Sequence, residues 1–195
     1  MTVPATEVKK YTLEEYLETE NRTGERYNYY DGILEPMPNT TIPHNRISKN
    51  LLFALESALF NREDFEAFGG DQKIYLPRYN YYVYPDAVVV SAPPVISDVE
   101  TNAIINPVLI IEVLSKSTQK YDRGEKFVEY RSLPTFKEYC LINQKKPEAL
   151  LFFQQKPGLW AETEVLGLEN DVFFQSIDVR IPLKQVYRRI QFENA

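Results

Sequence analysis

Two apolar runs decide the reading: Pro85-Asp86-Ala87-Val88-Val89-Val90 and Pro107-Val108-Leu109-Ile110-Ile111-Glu112-Val113-Leu114. Both are rich in Val, Ile and Leu without polar alternation, the pattern of strands buried on both faces. Each carries one carboxylate. An unpaired acid in such a run costs several kcal/mol, roughly, so Glu112 needs a reason to be there. The intervening Ser91–Asn106 suits an excursion between neighbouring antiparallel strands. In that arrangement the start of one strand lies beside the end of the other, and Asp86 meets Glu112. Two such carboxylates repel unless a proton or cation sits between them, and hard divalent cations take oxygen ligands.

Outward from this pair, the rest of the chain reads as strands and helices in one domain spanning residues 1–195, with a frayed tail over 1–10. Thr12-Leu13-Glu14-Glu15 has capping-box spacing and predicts a helix from Leu13 to about Glu20. Glu25 to Tyr30 and Ile33 to Met37 flank Asp31-Gly32, a hairpin signal. Pro43 opens a helix over 43–60, with Ile47, Leu51, Leu55, Ala58 and Leu59 on one face. Glu66 to Leu76 reads as a strand with a bulge at Gly69-Gly70. Pro77 to Asn80 turns the chain back into Tyr81 to Tyr84. Those tyrosines read as a half-exposed hairpin face, with stacking on nucleobases as the rival reading.

Beyond Glu112, Ser117 or Thr118 can cap a helix over about 120–132, on which Asp122, Lys126 and Tyr130 share one face. That helix joins the Glu112 strand to a parallel strand at Glu138–Asn143 as a βαβ crossover. Ala149–Gln154 and Trp160–Leu166 form a late hairpin about Lys156-Pro157-Gly158. Its Phe152, Phe153 and Trp160 offer apolar surface on which a homodimer could form. A short strand at Val179–Ile181 and a helix near Leu183–Arg189 close the chain.

Composition narrows the function classes. With 195 residues, 44% hydrophobic and 26% charged, the chain is an ordinary globular domain. It has no apolar run near the roughly 20 residues of a membrane span, and its first residues lack a signal-peptide core, so a cytoplasmic location without membrane contact is expected. The single cysteine, Cys140, rules out an internal disulfide or a cysteine zinc cluster and reads as a core residue. The net charge of −6 argues against gripping nucleic acid by bulk charge. Its distribution is uneven: residues 1–66 hold 12 acids against 7 bases, whereas Lys116, Lys120, Arg123, Lys126 and Arg131 cluster after Glu112. That cluster reads either as a phosphate-facing patch or as a solvated helix face. His44, the lone histidine, sits at a helix start, where a capping or surface role competes with a role in chemistry.

The ordered residues resemble a known pattern. Tyr27-Asn28-Tyr29-Tyr30-Asp31-Gly32, His44 with Asn50-Leu51, Pro85-Asp86, Glu112-Val113-Leu114-Ser115, Ser117-Thr118, Asp122, Lys126, Tyr130 and Glu138-Tyr139 are similar to the Uma-type restriction endonuclease family. That family lies within the PD-(D/E)XK nuclease superfamily. Pro-Asp alone has little specificity; the run from Glu112 to Glu138 carries the resemblance, which extends from about residue 11 to about residue 155.

The resemblance implies a restriction-endonuclease-like α/β core: a central mixed β-sheet flanked by helices, here with N-terminal and C-terminal β-hairpins. It also implies metal-dependent hydrolysis of DNA phosphodiester bonds. Mg²⁺, with Mn²⁺ as substitute, would be held by Asp86, Glu112 and the main-chain carbonyl of Val113. Glu25 stands where the family often has a further acid, and a solvated loop glutamate is the competing reading. A strict Glu-X-Lys motif would put lysine at 114, where this chain has Leu114; the family pattern answers with Lys126 as the catalytic lysine. Lys116 and Lys120 are rivals at positions the pattern does not mark, and Lys116 is expected to face solvent. His44 and Asp122 are supporting candidates. The alternative is a catalytically silent nuclease-fold protein that binds nucleic acid or a protein partner. A third reading makes Asp86 and Glu112 ordinary strand-end acids of an unrelated binding domain.

Overall fold

The computed structural model describes residues 9–100, 102–115 and 119–192. Helix α1 (Leu13–Thr23) starts with the expected capping box: the Glu15 amide donates to the Thr12 hydroxyl at 3.2 Å, and the Thr12 amide donates to the Glu15 carboxylate at 2.8 Å. It runs a turn beyond expectation and stops at Gly24, whose φ of +68° suits glycine. Strands β1 (Tyr27–Tyr30) and β2 (Ile33–Pro36) pair antiparallel about Asp31-Gly32, both at positive φ. Helix α2 (Ile42–Leu59) is capped by the Thr41 hydroxyl and buries Ile47, Leu51, Ala54, Leu55 and Leu59.

Next come β3 (Phe65–Gly69), β4 (Lys73–Leu76), β5 (Tyr81–Val83) and β6 (Ala87–Ser91). The expected bulge at Gly69-Gly70 is instead a break between two sheets. Strand β3 pairs with β6 in one sheet, whereas β4 pairs with β5 in another. The hairpin therefore crosses from sheet to sheet at Gly70 on one arm and Tyr84-Pro85-Asp86 on the other. A Cβ on Gly70 would lie 3.7 Å from the carbonyl oxygens of Pro85 and Asp86, so the two arms pass in contact there.

Strands β7 (Ala103–Ile104) and β8 (Pro107–Leu114) follow, then helices α3 (Gln119–Arg123) and α4 (Glu125–Tyr130). The single helix expected over 120–132 is thus two, interrupted at Gly124, whose φ of −123° and ψ of −90° are non-helical. The caps proposed at Ser117 or Thr118, and Lys116, lie outside the described residues. Strand β9 (Glu138–Asn143) runs parallel to β8, as expected of a crossover. Strands β10 (Glu148–Lys156) and β11 (Leu159–Leu166) form the late hairpin. Strand β13 (Val179–Pro182) and helix α5 (Leu183–Val186) match the expected tail, but β13 has an antiparallel partner, β12 (Asp171–Phe174), that was not foreseen.

Among the described residues the strands form a mixed six-stranded sheet ordered β11-β10-β9-β8-β6-β3, a five-stranded sheet ordered β2-β1-β5-β4-β7, and the β12-β13 pair. The six-stranded sheet is apolar on both faces. Ala87, Val89, Leu109, Ile111 and Val113 pack with α2 and α5, whereas Val88, Val90, Ile110 and Leu114 pack with Tyr130, Leu133, Phe136 and Tyr139. Cys140 is buried, as its pattern implied.

Three surface expectations change. Tyr82 and Tyr84 are 0% and 7% exposed, and Tyr82 stacks on Tyr75 with ring centroids 4.4 Å apart. Tyr82 joins Tyr16 and Tyr29 in a core under α1, so it is not part of a half-exposed face, whereas Tyr81 is half-buried and Tyr84 lines the Asp86 cleft. Phe152 and Trp160 pack on Phe127, with centroids 4.7 and 5.0 Å away, so part of the late hairpin's apolar surface is already covered within the chain. The basic cluster after Glu112 does not form one patch, because Lys126 turns inward to Glu112 and Arg123 pairs with Glu148 at 3.4 Å. Among the described residues no helix is long and apolar enough to cross a membrane.

Candidate active site

Antiparallel pairing of β6 with β8 sets Ala87 opposite Ile111, which brings the residue before β6, Asp86, beside Glu112. Both line one cleft of about 730 Å³, together with His44, Val113, Asp122 and Lys126. Strand β6 ends before it can pair with Val113. The Asp86 side chain takes over that ladder position: its Oδ2 accepts the Val113 amide at 2.7 Å. Val113 itself lines the cleft on this side, next to His44.

Helix α2 fixes the other side of Asp86. His44 Nε2 lies 3.4 Å from Asp86 Oδ2, and the Ser48 hydroxyl donates to Oδ1 at 3.3 Å. Burial alone would lower the His44 pKa, but the hydrogen bond and charge of Asp86 outweigh it and raise the pKa above the ordinary value. His44 thus belongs to the site, and its place at a helix start is what aims it there. Ser48 was not singled out from the sequence. Its one available signal was its position, one turn after His44 on the same helix face.

Glu112 is 5% exposed. Two donors meet its Oε1: the Lys126 ammonium at 2.7 Å and the Tyr130 hydroxyl at 2.9 Å. Lys126 also lies 3.4 Å from Asp122 Oδ1, across the break at Gly124. Lys126 and Tyr130 therefore meet at Glu112, and Asp122 joins them through Lys126, even though the helix is interrupted. One ammonium cannot neutralise two buried carboxylates. Burial, then the charges of Asp122 and Asp86, push the Glu112 carboxyl up to about 7 despite Lys126. Burial opposes the charged form of Lys126 too, but Glu112 and Asp122 more than reverse this and hold it above the ordinary lysine range. Leu114, where a strict motif would have lysine, is packed into the core beside Ile110, and α4 supplies the ammonium from the next element.

The structure does not bring Glu25 to this cleft. Glu25 is exposed, accepts a hydrogen bond from the Tyr27 hydroxyl at 3.1 Å, and lines a separate polar cleft with Glu20 and Lys73. Glu25 sits in the turn between α1 and β1, whereas within β1 it is Asn28 that reaches the cleft. Lys120 is exposed. Glu138, part of the sequence pattern, has a structural role instead: it is fully buried and its carboxylate accepts the amides of Gln175 and Ser176 and the Ser176 hydroxyl, pinning the tail beneath the sheet.

Among the described residues no cluster of three His, Cys, Asp or Glu side chains is arranged to hold a metal ion. The donors here are two carboxylates and a carbonyl oxygen, all hard oxygen ligands, with cleft space beside them for water. Three carboxylates (Asp86, Glu112 and Asp122) face one ammonium and one imidazole. That donor set and surplus of negative charge fit a hard divalent cation such as Mg²⁺ or Mn²⁺.

A family model described as "Uma2: Putative restriction endonuclease" matches residues 13–178. The chain belongs to the Uma2 family. Two relatives from Synechocystis sp., the uncharacterized proteins sll1609 and slr1290, are each 31% identical to it. The first aligns over 92% of this chain and all of its own length, the second over 97% of both. The fold is similar to the crystal structure of "a putative nuclease belonging to DUF820" from Anabaena variabilis, with a TM-score of 0.71 over 91% of this chain and 97% of that one, at 16% identity. That likeness establishes a nuclease-type mixed α/β fold.

Proposed function

We propose that this Uma2 protein is a metal-dependent endonuclease that hydrolyses DNA phosphodiester bonds by a PD-(D/E)XK-type mechanism. The observation that carries this reading is the convergence of Asp86 and Lys126 on Glu112 at the open end of a buried strand pair. Asp86, Glu112 and the Val113 carbonyl would hold Mg²⁺ or Mn²⁺. Such an ion supplies a water of lowered pKa and offsets charge on the phosphoryl oxygens. Val113 and Ser48 hold Asp86 in place from either side. Tyr130 and Lys126 set the direction of the Glu112 carboxylate. Lys126, whose ammonium stays charged, can donate to the attacking water or to a phosphoryl oxygen as negative charge develops.

A binding protein of the same fold is the second reading, favoured by the net charge of −6 and by the double engagement of Lys126 with Glu112 and Asp122. One experiment separates the two. Supercoiled, linear and single-stranded DNA are incubated with purified protein in Mg²⁺, Mn²⁺, Ca²⁺ or chelator, beside Asp86→Ala and Glu112→Ala. Cleavage in Mg²⁺ or Mn²⁺ that both variants and chelator abolish supports the nuclease. Binding without cleavage under every metal leaves the binding protein.

A further inference from the structure

Helix α2 presents His44 and Ser48 to the cleft, and a different chemistry to its other side. Arg46, Lys49, Arg188 and Arg189 are all exposed, and together with Asn50 they line a hollow of about 90 Å³ between α2 and the segment after α5. The hollow is tied together from within. Asn50 Nδ2 donates to the carbonyls of Val186 and Arg188 at 3.0 and 2.9 Å, and Arg46 Nη1 donates to the Arg189 carbonyl at 3.2 Å. Arg189 adopts φ +65°, a left-handed turn that lets the chain bring consecutive arginines against α2. None of the four cations forms an ion pair with an acid among the described residues, although acids outnumber bases in the chain, 28 to 22. Elsewhere bases do find acids, as exposed Arg26 does with Asp71 and half-buried Arg62 with Asp64.

We infer that Arg46, Lys49, Arg188 and Arg189 bind the phosphate backbone of duplex DNA whose neighbouring phosphate enters the Asp86–Glu112 cleft. The inference rests on the nuclease reading and names the surface by which an acidic protein would hold its substrate. Charge complementarity selects the occupant: unpaired guanidinium and ammonium groups around a small polar hollow match a polyanion of regularly spaced phosphates, and they offer nothing to an apolar partner. The geometry is compatible with one strand reaching both places. Arg46 and Lys49 lie within two turns of His44 on the same helix, whose full diameter with side chains is only about 10–12 Å, a span of a few nucleotides. Contacts of this kind position DNA without reading its sequence.

The test is fluorescence anisotropy of a labelled 25-base-pair duplex, measured in chelator over a range of salt so that binding is read apart from cutting. Replacing all four residues by alanine should lower affinity at least tenfold at low salt and reduce the slope of log affinity against log salt by about three to four. Lys49→Ala, whose side chain forms no hydrogen bond or ion pair among the described residues, should reduce the slope by about one on its own and guards against a folding defect in the fourfold variant. An unchanged slope in Lys49→Ala and in a fourfold variant with a parental melt would overturn the inference, and the nuclease reading would survive if the parent still cut DNA. Patch-dependent binding by a parent that cleaves no DNA under any of the metals would sustain the surface and remove the nuclease. A parent that binds no duplex would overturn the surface.

Discussion

The Lys126 ammonium lies 2.7 Å from Glu112 Oε1, so the helix after β8 reaches back onto the strand it has just left. The pair is almost wholly removed from solvent, with side chains 11% and 6% exposed. Removing Lys126 therefore has two consequences. Lys126→Ala should lose at least about a hundredfold in DNA cleavage, the scale of a missing charge-stabilising donor. It should also melt earlier, because a buried pair broken on one side costs about 3–5 kcal/mol. Assayed beside Lys116→Ala on the same DNA, Lys126→Ala should show the larger loss; an equal or larger loss at Lys116 rejects the assignment.

Two neighbouring carboxylates repel, and on that ground alone removing either would leave the protein as stable as before, or more so. The contacts change that expectation. Glu112→Ala would strand the Lys126 ammonium with Asp122 alone and leave the Tyr130 hydroxyl without its acceptor. It should therefore destabilise the metal-free protein, while Glu112→Gln, which retains an acceptor oxygen, should destabilise it less. Both should cut at least about a hundredfold more slowly than the parent. Chelator melts that rank Glu112→Ala at or above the parent would contradict the buried network.

The pH dependence follows from the same carboxyl. Folded, Glu112 holds its proton up to about 7, against an ordinary value near 4.5, because burial and the neighbouring acids disfavour its charge. Between those two pH values the folded state binds more protons than the unfolded one, so this group's contribution to stability falls as pH rises. In chelator, the melting temperature of the parent should decline relative to Glu112→Gln from pH 5 to pH 8. Parallel curves over that range would show that Glu112 does not titrate there.

Tyr130→Phe isolates a single contact. The ring stays packed on Phe136 and Tyr139, and the hydroxyl that donates to Glu112 at 2.9 Å is lost. A hydrogen bond to a charged group is worth about 1.5–3 kcal/mol, and denaturant melts at a pH above about 7, where Glu112 is ionised, should register a loss on that scale. Cleavage should slow less than in Lys126→Ala, since Lys126 still holds Glu112. A loss of activity matching Lys126→Ala with an unchanged melt would instead place the Tyr130 hydroxyl in the chemistry.

Much of this site was written in local pattern. Two β-branched runs with one acid each imply neighbouring buried strands, and antiparallel order alone sets Asp86 beside Glu112. Spacing of three and four residues put Asp122, Lys126 and Tyr130 on one face, and that relation survived the break at Gly124 because the side chains are tied to a common partner. The capping box of α1 and the Asp31-Gly32 turn were equally legible, since each depends on residues a few positions apart. What only the tertiary structure decided depends on partners far away in sequence. The chain changes sheets at Gly70 and Asp86, a choice no period of two can reveal. Glu25 lies outside the cleft because it falls in the turn before β1, and Ser48 reaches Asp86 because α2 lies across the end of β6. The basic hollow exists because α5 folds back on α2, bringing Arg188 and Arg189 to Arg46 from more than a hundred residues away. Local spacing determines which side chains travel together; long-range packing decides what they meet.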